Sequence, residues 1–142
     1  MLRELSAQEC EAMLRRHRLG RVAMRDAAGA YVVPISYAWD EGIVYAHAAP
    51  GRKVQLMRRW PHVAFQLDEV EDASCWRSVL VRGRFEEIHD EEGRAHARML
   101  LLKAFEGHLM SVTAGHGQRI HLADAVMFCI RPEEVTGRAE GL

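Results

Sequence analysis

The 142-residue sequence predicts one mainly β domain, a six-stranded antiparallel barrel with flanking helices. Three observations lead there. Short stretches of alternating apolar and polar residues recur along the chain, separated by glycine- and acid-rich turns. The first of them follow one another through tight connections, as in an antiparallel meander. Closing so many short strands into a barrel removes the exposed edges that an open sheet of this size would carry.

The elements follow in order. Ser6-Ala7-Gln8-Glu9 fits a capping box, with a helix running to about His17; Cys10, Met13 and Leu14 share one face, and Gly20 is expected to end the segment. "RVAMRD" (21–26) alternates as a first strand, Ala27-Ala28-Gly29 turns, and "YVVPISYAW" (31–39) is a second strand. Pro34 cannot donate to a ladder, so it marks an edge, a bulge or a place where something approaches the backbone. Asp40-Glu41-Gly42 turns into "IVYAH" (43–47), and "RKVQLMRR" (52–59) has helical spacing with Val54, Leu56 and Met57 inward. Trp60-Pro61 stops that helix. "HVAFQLDEV" (62–70) alternates, "EDASC" (71–75) is a loop, and "WRSVLVRGRFEEIH" (76–89) is a long strand bent or bulged at Gly83. A helix over 90–106, a glycine-broken stretch over 107–119, a last strand over 125–132 and a polar tail complete the chain. No repeat or linker divides it, so residues 1–142 form one domain.

Composition excludes several classes. Hydrophobic residues make up 49% of the chain, enough for a packed core and too many for intrinsic disorder. A net charge of −1 removes the electrostatic basis for general nucleic-acid binding. No apolar run has the length of a membrane span, and the N-terminus lacks the apolar core of a signal peptide. Cys10, Cys75 and Cys129 are odd in number and widely spaced, which suits reduced thiols and a cytoplasmic protein.

One loop carries chemistry. After Tyr45 and His47 come Ala48-Ala49-Pro50-Gly51, with almost no side chain, and then Arg52 and Lys53. Small residues let backbone amides converge, Gly51 has the conformational freedom to aim them, and a helix starting at Arg52 adds free N–H groups and a positive dipole end. Arg52 can fork two oxygens while Lys53 supplies a point charge. These are the requirements of a phosphate. An Arg-Lys pair opening an exposed helix is equally compatible with solvated surface.

The order "V-P-I-S", "I-V-Y-A-H", "A-A-P-G-R-K", "W-R-S-V-L-V-R-G-R" and "I-R-P-E-E-V-T-G-R" resembles the pyridoxamine 5′-phosphate oxidase-related, FMN-binding split-barrel family, in particular its nitroimidazole-resistance reductase-like branch. The resemblance spans Leu5 to about Arg138. It implies a homodimer with FMN in clefts between the subunits, and an oxidoreductase acting on a small organic acceptor with a reductant such as NAD(P)H. By position it implies that Gly51, Arg52 and Lys53 hold the phosphate and that His47 lies beside the ribityl chain or phosphate. Val33, Pro34, Ile35 and Ser36 would lie along the isoalloxazine ring. Trp76, Arg77 and Ser78 would close the site, from the same subunit or across the dimer. The enzyme that gives the family its name holds its substrate phosphate on basic residues near its C-terminus; Arg138 is the single counterpart here, so pyridoxamine oxidation is not expected.

A different reading is a flavin- or heme-binding module without turnover, since some split-barrel relatives bind heme and His108, His116 and His121 cluster in the glycine-broken stretch. No zinc-type ligand spacing occurs, and "TAGHGQR" lacks the spacing of a nucleotide P-loop. Neither the substrate nor a catalytic residue can be assigned from these residues.

Overall fold

The computed structural model describes residues 1–105 and 125–141. The elements are β1 (Leu2–Glu4), α1 (Ala7–Arg16), β2 (Leu19–Asp26), β3 (Gly29–Ser36), β4 (Ala38–Asp40), β5 (Ile43–Ala48), α2 (Arg52–Arg59), β6 (His62–Asp72), β7 (Cys75–Glu87), α3 (Glu91–Phe105) and β8 (Val126–Glu140). Eight strands among the described residues form one antiparallel sheet in the order β3-β2-β6-β7-β8-β5-β4, with β1 pairing the end of β8. β3 comes back towards β5 without sharing a ladder with it, so the barrel is split on that side.

Local chemistry explains most boundaries. Ser6 Oγ accepts the Glu9 amide at 3.1 Å and Glu9 Oε1 accepts the Ser6 amide at 3.0 Å, the capping box the sequence predicts. Arg3 adds a fork to the Glu9 carboxylate, which holds that carboxyl down at about 2. α1 buries Cys10, Met13 and Leu14, as their spacing requires. It ends at Arg16 with His17 as C-cap, where the sequence places its end, but Gly20 is not what stops it. Gly20 lies inside β2, where a Cβ would come within 2.3 Å of the Phe65 ring; the residue is there for packing and does not stop the helix.

Three other expectations are corrected. There are eight described strands and not six, because β1 was not foreseen and the second predicted strand divides at Tyr37. That break seats Tyr37 in the core, where its hydroxyl donates to the Leu14 carbonyl at 2.7 Å and its ring meets Phe65 edge-on at 4.8 Å. The 71–75 loop shrinks to Ala73–Ser74, since β6 and β7 pair out to Asp72 and Cys75. The polar tail is the outer half of β8, laid against β7 as far as Glu140. The predicted bend at Gly83 is present as a register shift: Arg82 faces Glu134 and Gly83 faces Pro132.

The main core lies inside the barrel and under α1 and α2, with Phe65, Phe128, Leu67, Ile130 and Met57 fully buried. A second cluster forms under α3 from Ala97, Leu101, Ala38 and Met127. Met99 and Leu102 face outward from that helix. All three cysteines are free, Cys10 and Cys129 being buried. Among the described residues no helix is long and apolar enough to cross a membrane. The 107–119 stretch, with His108 and His116, and also His121 lie outside the described residues.

Candidate functional site

β5 carries the first half of the site. Val44, Ala46 and Ala48 face the barrel core, so Tyr45 and His47 fall on the opposite face. β5 is paired on both sides, by β4 and β8, and His47 lies opposite Met127. His47 is only 6% exposed, and its Nδ1 has no hydrogen-bond partner among the described residues. Burial, and then the charge of Lys53, push its pKa below the usual imidazole value, so the ring is neutral at pH 7. An orphaned ring nitrogen inside a protein is costly unless something else completes it.

The second half is the first turn of α2. The helix spans 52–59 as predicted, because Val54 and Met57 pack into the core and Trp60-Pro61 ends it. Gly51 is its N-cap, with φ 172°, an extended backbone that other residues also adopt. Its left-handed freedom is therefore not used; what it contributes is open space, since a Cβ there would meet nothing closer than the Ala49 carbonyl oxygen at 3.9 Å. Gly51 has no side chain to cap the helix, so its first amides receive no acceptor from the N-cap residue.

Arg52 and Lys53 are neighbours in sequence and behave oppositely. Arg52 pairs with the Asp26 carboxylate, and its guanidinium lies 5.0 Å over the Tyr31 ring. Asp26 also accepts the Ala28 amide at 2.9 Å, and these contacts hold its carboxyl below the usual range. Lys53 is half-buried and has no carboxylate partner among the described residues. Desolvation alone lowers its pKa to about 8. One cation is thus compensated within the chain, while the other acts on a neutral buried imidazole and has no balancing carboxylate among the described residues.

The remaining predicted residues are distributed along the barrel. Among the described residues β3 is an edge strand paired with β2 alone, and Pro34 is exposed on it opposite Arg21, the edge placement its missing N–H allows. Val33 is half-buried and packs on the core, whereas Ile35 and Ser36 are buried. Trp76, Arg77 and Ser78 open β7 and lie against Glu140, Ala139 and Arg138 at the far end of β8. Ser78 Oγ accepts from Gln66 Nε2 at 3.1 Å, and Arg77 Nε is buried without a partner among the described residues. Met127, opposite His47, and Arg138, opposite Ser78, are 11 residues apart on one strand. At roughly 3.3 Å per residue the two groups lie on the order of 35 Å apart along β8. The structure joins His47 with Lys53 and does not join Trp76, Arg77 and Ser78 to them within one chain.

Sequence reasoning missed Asp26 and Tyr31. Asp26 carries a local signal, an aspartate whose carboxylate caps the turn that follows it, but its pairing with Arg52 spans 26 residues and has no sequence signature. An open groove of about 470 Å³ lies elsewhere, where the β2–β6 ladder stops at Ala23–Ala64; its walls include Arg25, His62, Arg82 and Glu133 but none of the predicted site residues. Among the described residues no group of three or more His, Cys, Asp or Glu side chains is placed to hold a metal ion.

Fold and site together define a split β-barrel with a half-buried lysine and a buried imidazole where β5 meets the start of α2. The family model described as pyridoxamine 5′-phosphate oxidase matches residues 6–139, and the chain belongs to that family. It is 35% identical to the uncharacterized protein RA0666 of Rhizobium meliloti (strain 1021), over 97% of this chain and 95% of that one. It is similar in structure to a FAD-binding protein from Mesorhizobium loti, with a TM-score of 0.84, 35% identity and 99% of each chain covered. A candidate 5-nitroimidazole antibiotic resistance protein from Bacteroides thetaiotaomicron superposes with a TM-score of 0.74 over 98% of this chain and 89% of that one; at 18% identity that likeness is one of fold.

Proposed function

We propose that the protein binds a flavin nucleotide by its phosphate and serves as a two-electron oxidoreductase for a small organic acceptor. The observation that carries this reading is Lys53, a half-buried lysine without a counter-ion among the described residues, whose charge acts on the buried ring of His47, its Nδ1 unpartnered among those residues, at the start of α2. A phosphate would satisfy all three at once. That the phosphate belongs to a flavin is supported by family membership and by the relative described as FAD-binding. FMN is the cofactor the sequence resemblance implies, and FAD stands beside it on the strength of that relative.

The chain's own residues would divide the work. Lys53 neutralises the phosphate, and neutral His47 supplies a hydrogen bond without adding a second buried charge. The outer side of β3 at Val33, Pro34, Ile35 and Ser36 would lie along a planar ring. Trp76, Arg77 and Ser78 are too distant along β8 to join the same ligand from one chain, which supports a homodimer in which a second copy supplies them. The flavin, when bound, supplies the hydride chemistry, and the protein supplies position and electrostatics.

Anaerobic addition of NADPH or NADH to the flavin-loaded protein is expected to bleach its visible absorption, and a nitroaromatic or quinone acceptor to restore it. Absence of reduction by either nucleotide would favour a binding module without turnover.

A further inference from the structure

The groove where β2 and β6 part shares no residue with the flavin reading. The two strands pair through Arg21–Gln66, Val22–Phe65 and Ala23–Ala64 and then diverge, although β2 runs on to Asp26 and β6 begins at His62. The gap, about 470 Å³, is floored by the buried side chains of Met24 and Val63 and edged by the small ones of Ala23, Ala30 and Ala64. It is an apolar trough with room for a compact organic molecule. Its charged and titratable groups are Arg25, Arg82, Glu133 and His62.

Those charges are not balanced. Elsewhere on the barrel arginines are matched: Arg3, Arg16, Arg58 and Arg131 each hold a carboxylate at 2.7 to 3.0 Å. Arg25 has no carboxylate partner among the described residues. Its guanidinium stands 4.9 Å from the centre of the Trp60 ring, where Arg59, likewise without a carboxylate there, stands at 4.6 Å. Two like charges on one indole oppose each other, and an anion beside Arg25 would relieve that. On the β7 side Arg82 reaches Glu134 only at 3.5 Å, with both side chains well exposed, so the pair contributes little. Glu133 lies 3.5 Å from His62 Nδ1, while Arg84, which can only donate, faces His62 Nε2 at 3.5 Å. That arrangement suits a ring proton on Nδ1, toward Glu133. Two guanidiniums and one carboxylate then leave the walls with one positive charge in excess.

We propose that this groove is a second binding site, for a monocarboxylic acid with an apolar body, whose carboxylate is held by Arg25 and whose body lies on Met24, Val63 and the alanines. A guanidinium forks a carboxylate in its own plane, and a single negative charge matches the excess on the walls. A doubly charged phosphate monoester would overshoot that excess and face Glu133. An uncharged analogue would cover the apolar floor and leave Arg25 unmatched.

The test is calorimetric titration of the full-length protein, as purified and at low ionic strength, with 2-naphthoate, 2-naphthamide and 2-naphthyl phosphate. Naphthoate is expected to bind saturably and about tenfold or more tighter than the amide, the effect of one charge-assisted hydrogen bond. At about pH 7.5 the phosphate is mostly a dianion, its second pKa being about 6, and it should bind more weakly than naphthoate. In Glu133→Gln the phosphate should gain more affinity than naphthoate does. Arg25→Ala should bring naphthoate down to the affinity of the amide and leave the flavin content unchanged; Arg25→Gln serves in its place should Arg25→Ala not fold. Lys53→Ala should not weaken naphthoate binding, which separates this groove from the flavin corner. Equal affinity for acid and amide, full naphthoate affinity in the Arg25 variant, its loss in Lys53→Ala, or no saturable binding would each overturn the site. Tighter binding of the phosphate than of naphthoate by the wild type would overturn the ligand class. None of these outcomes bears on whether the protein binds a flavin, so the two readings fail separately.

Discussion

Replacement of Lys53 by alanine is expected to weaken flavin binding by about 30- to 150-fold, the loss of one charge-assisted hydrogen bond of about 2–3 kcal/mol in a partly desolvated site. The apo-protein should be no less stable than the wild type. Lys53 has a folded pKa of about 8 against an ordinary 10.5, so between those values the unfolded chain binds more protons than the folded one. Stability of the ligand-free protein therefore rises with pH across that window, and the buried charge is a cost below it. Bound phosphate reverses the balance, because it favours the protonated amine. Flavin affinity of the wild type should accordingly fall as pH rises beyond about 8. In Lys53→Ala the weaker affinity that remains should no longer show this pH dependence. Fluorescence titration across the range measures the affinity, and a urea series on the apo-protein measures the stability. The joint Arg52→Ala, Lys53→Ala variant should be empty as purified. Equal losses from Arg52→Ala alone and Lys53→Ala alone would contradict the asymmetry between the two cations.

Gly83→Val is expected to destabilise the protein by at least about 3 kcal/mol, at the severe end for a single substitution. Even a Cβ at this position would stand 2.5 Å from the Arg131 carbonyl oxygen and 3.0 Å from its carbon. Those atoms are backbone in the neighbouring strand, so no side-chain rotation relieves the contact. The close approach occurs where β7 and β8 change register, between Arg82 and Gly83, and the β7–β8 pairing spans Trp76–Glu87. Loss there would loosen Phe85 and Phe128, whose rings pack at 5.2 Å, and through β8 would disturb β5 and His47. Urea midpoints at unchanged m-value would give the size of the effect. A variant as stable as the wild type would show that the strands can separate at this point at little cost.

The parts of the fold that were legible in the sequence are those specified by local chemistry. α1 has a reciprocal cap and one apolar face; α2 has inward residues at helical spacing and a Trp-Pro stop; β6 alternates cleanly because one face is core. β1 is three residues long and takes its ladder from the end of β8, so nothing local marks it. The outer half of β8, "PEEVTGRAE", reads as a polar tail because most of its side chains face solvent. It is a strand only because β7 and β1 supply its partners. Gly20 was misread for the same reason, since its constraint is the ring of Phe65 forty-five positions along the chain.

At the site, the loop of small residues before two cations pointed to Gly51, Arg52 and Lys53 as an expected place for an anion, and the resemblance added His47. What it could not indicate was which cation is free. That depends on Asp26, brought against Arg52 by the β2–β3 hairpin, and on burial, which leaves Lys53 uncompensated. The grouping of Trp76, Arg77 and Ser78 with the others came from the resemblance. Strand register places them at the opposite end of β8, a separation invisible until the pairing is known.

The most direct test of the central claim is the visible absorption spectrum of the freshly purified protein, followed by release and identification of any chromophore. The account predicts a two-band flavin spectrum, with FAD or FMN recovered in the supernatant after denaturation. A colourless protein that takes up neither nucleotide, or one showing a Soret band and no flavin, would contradict it.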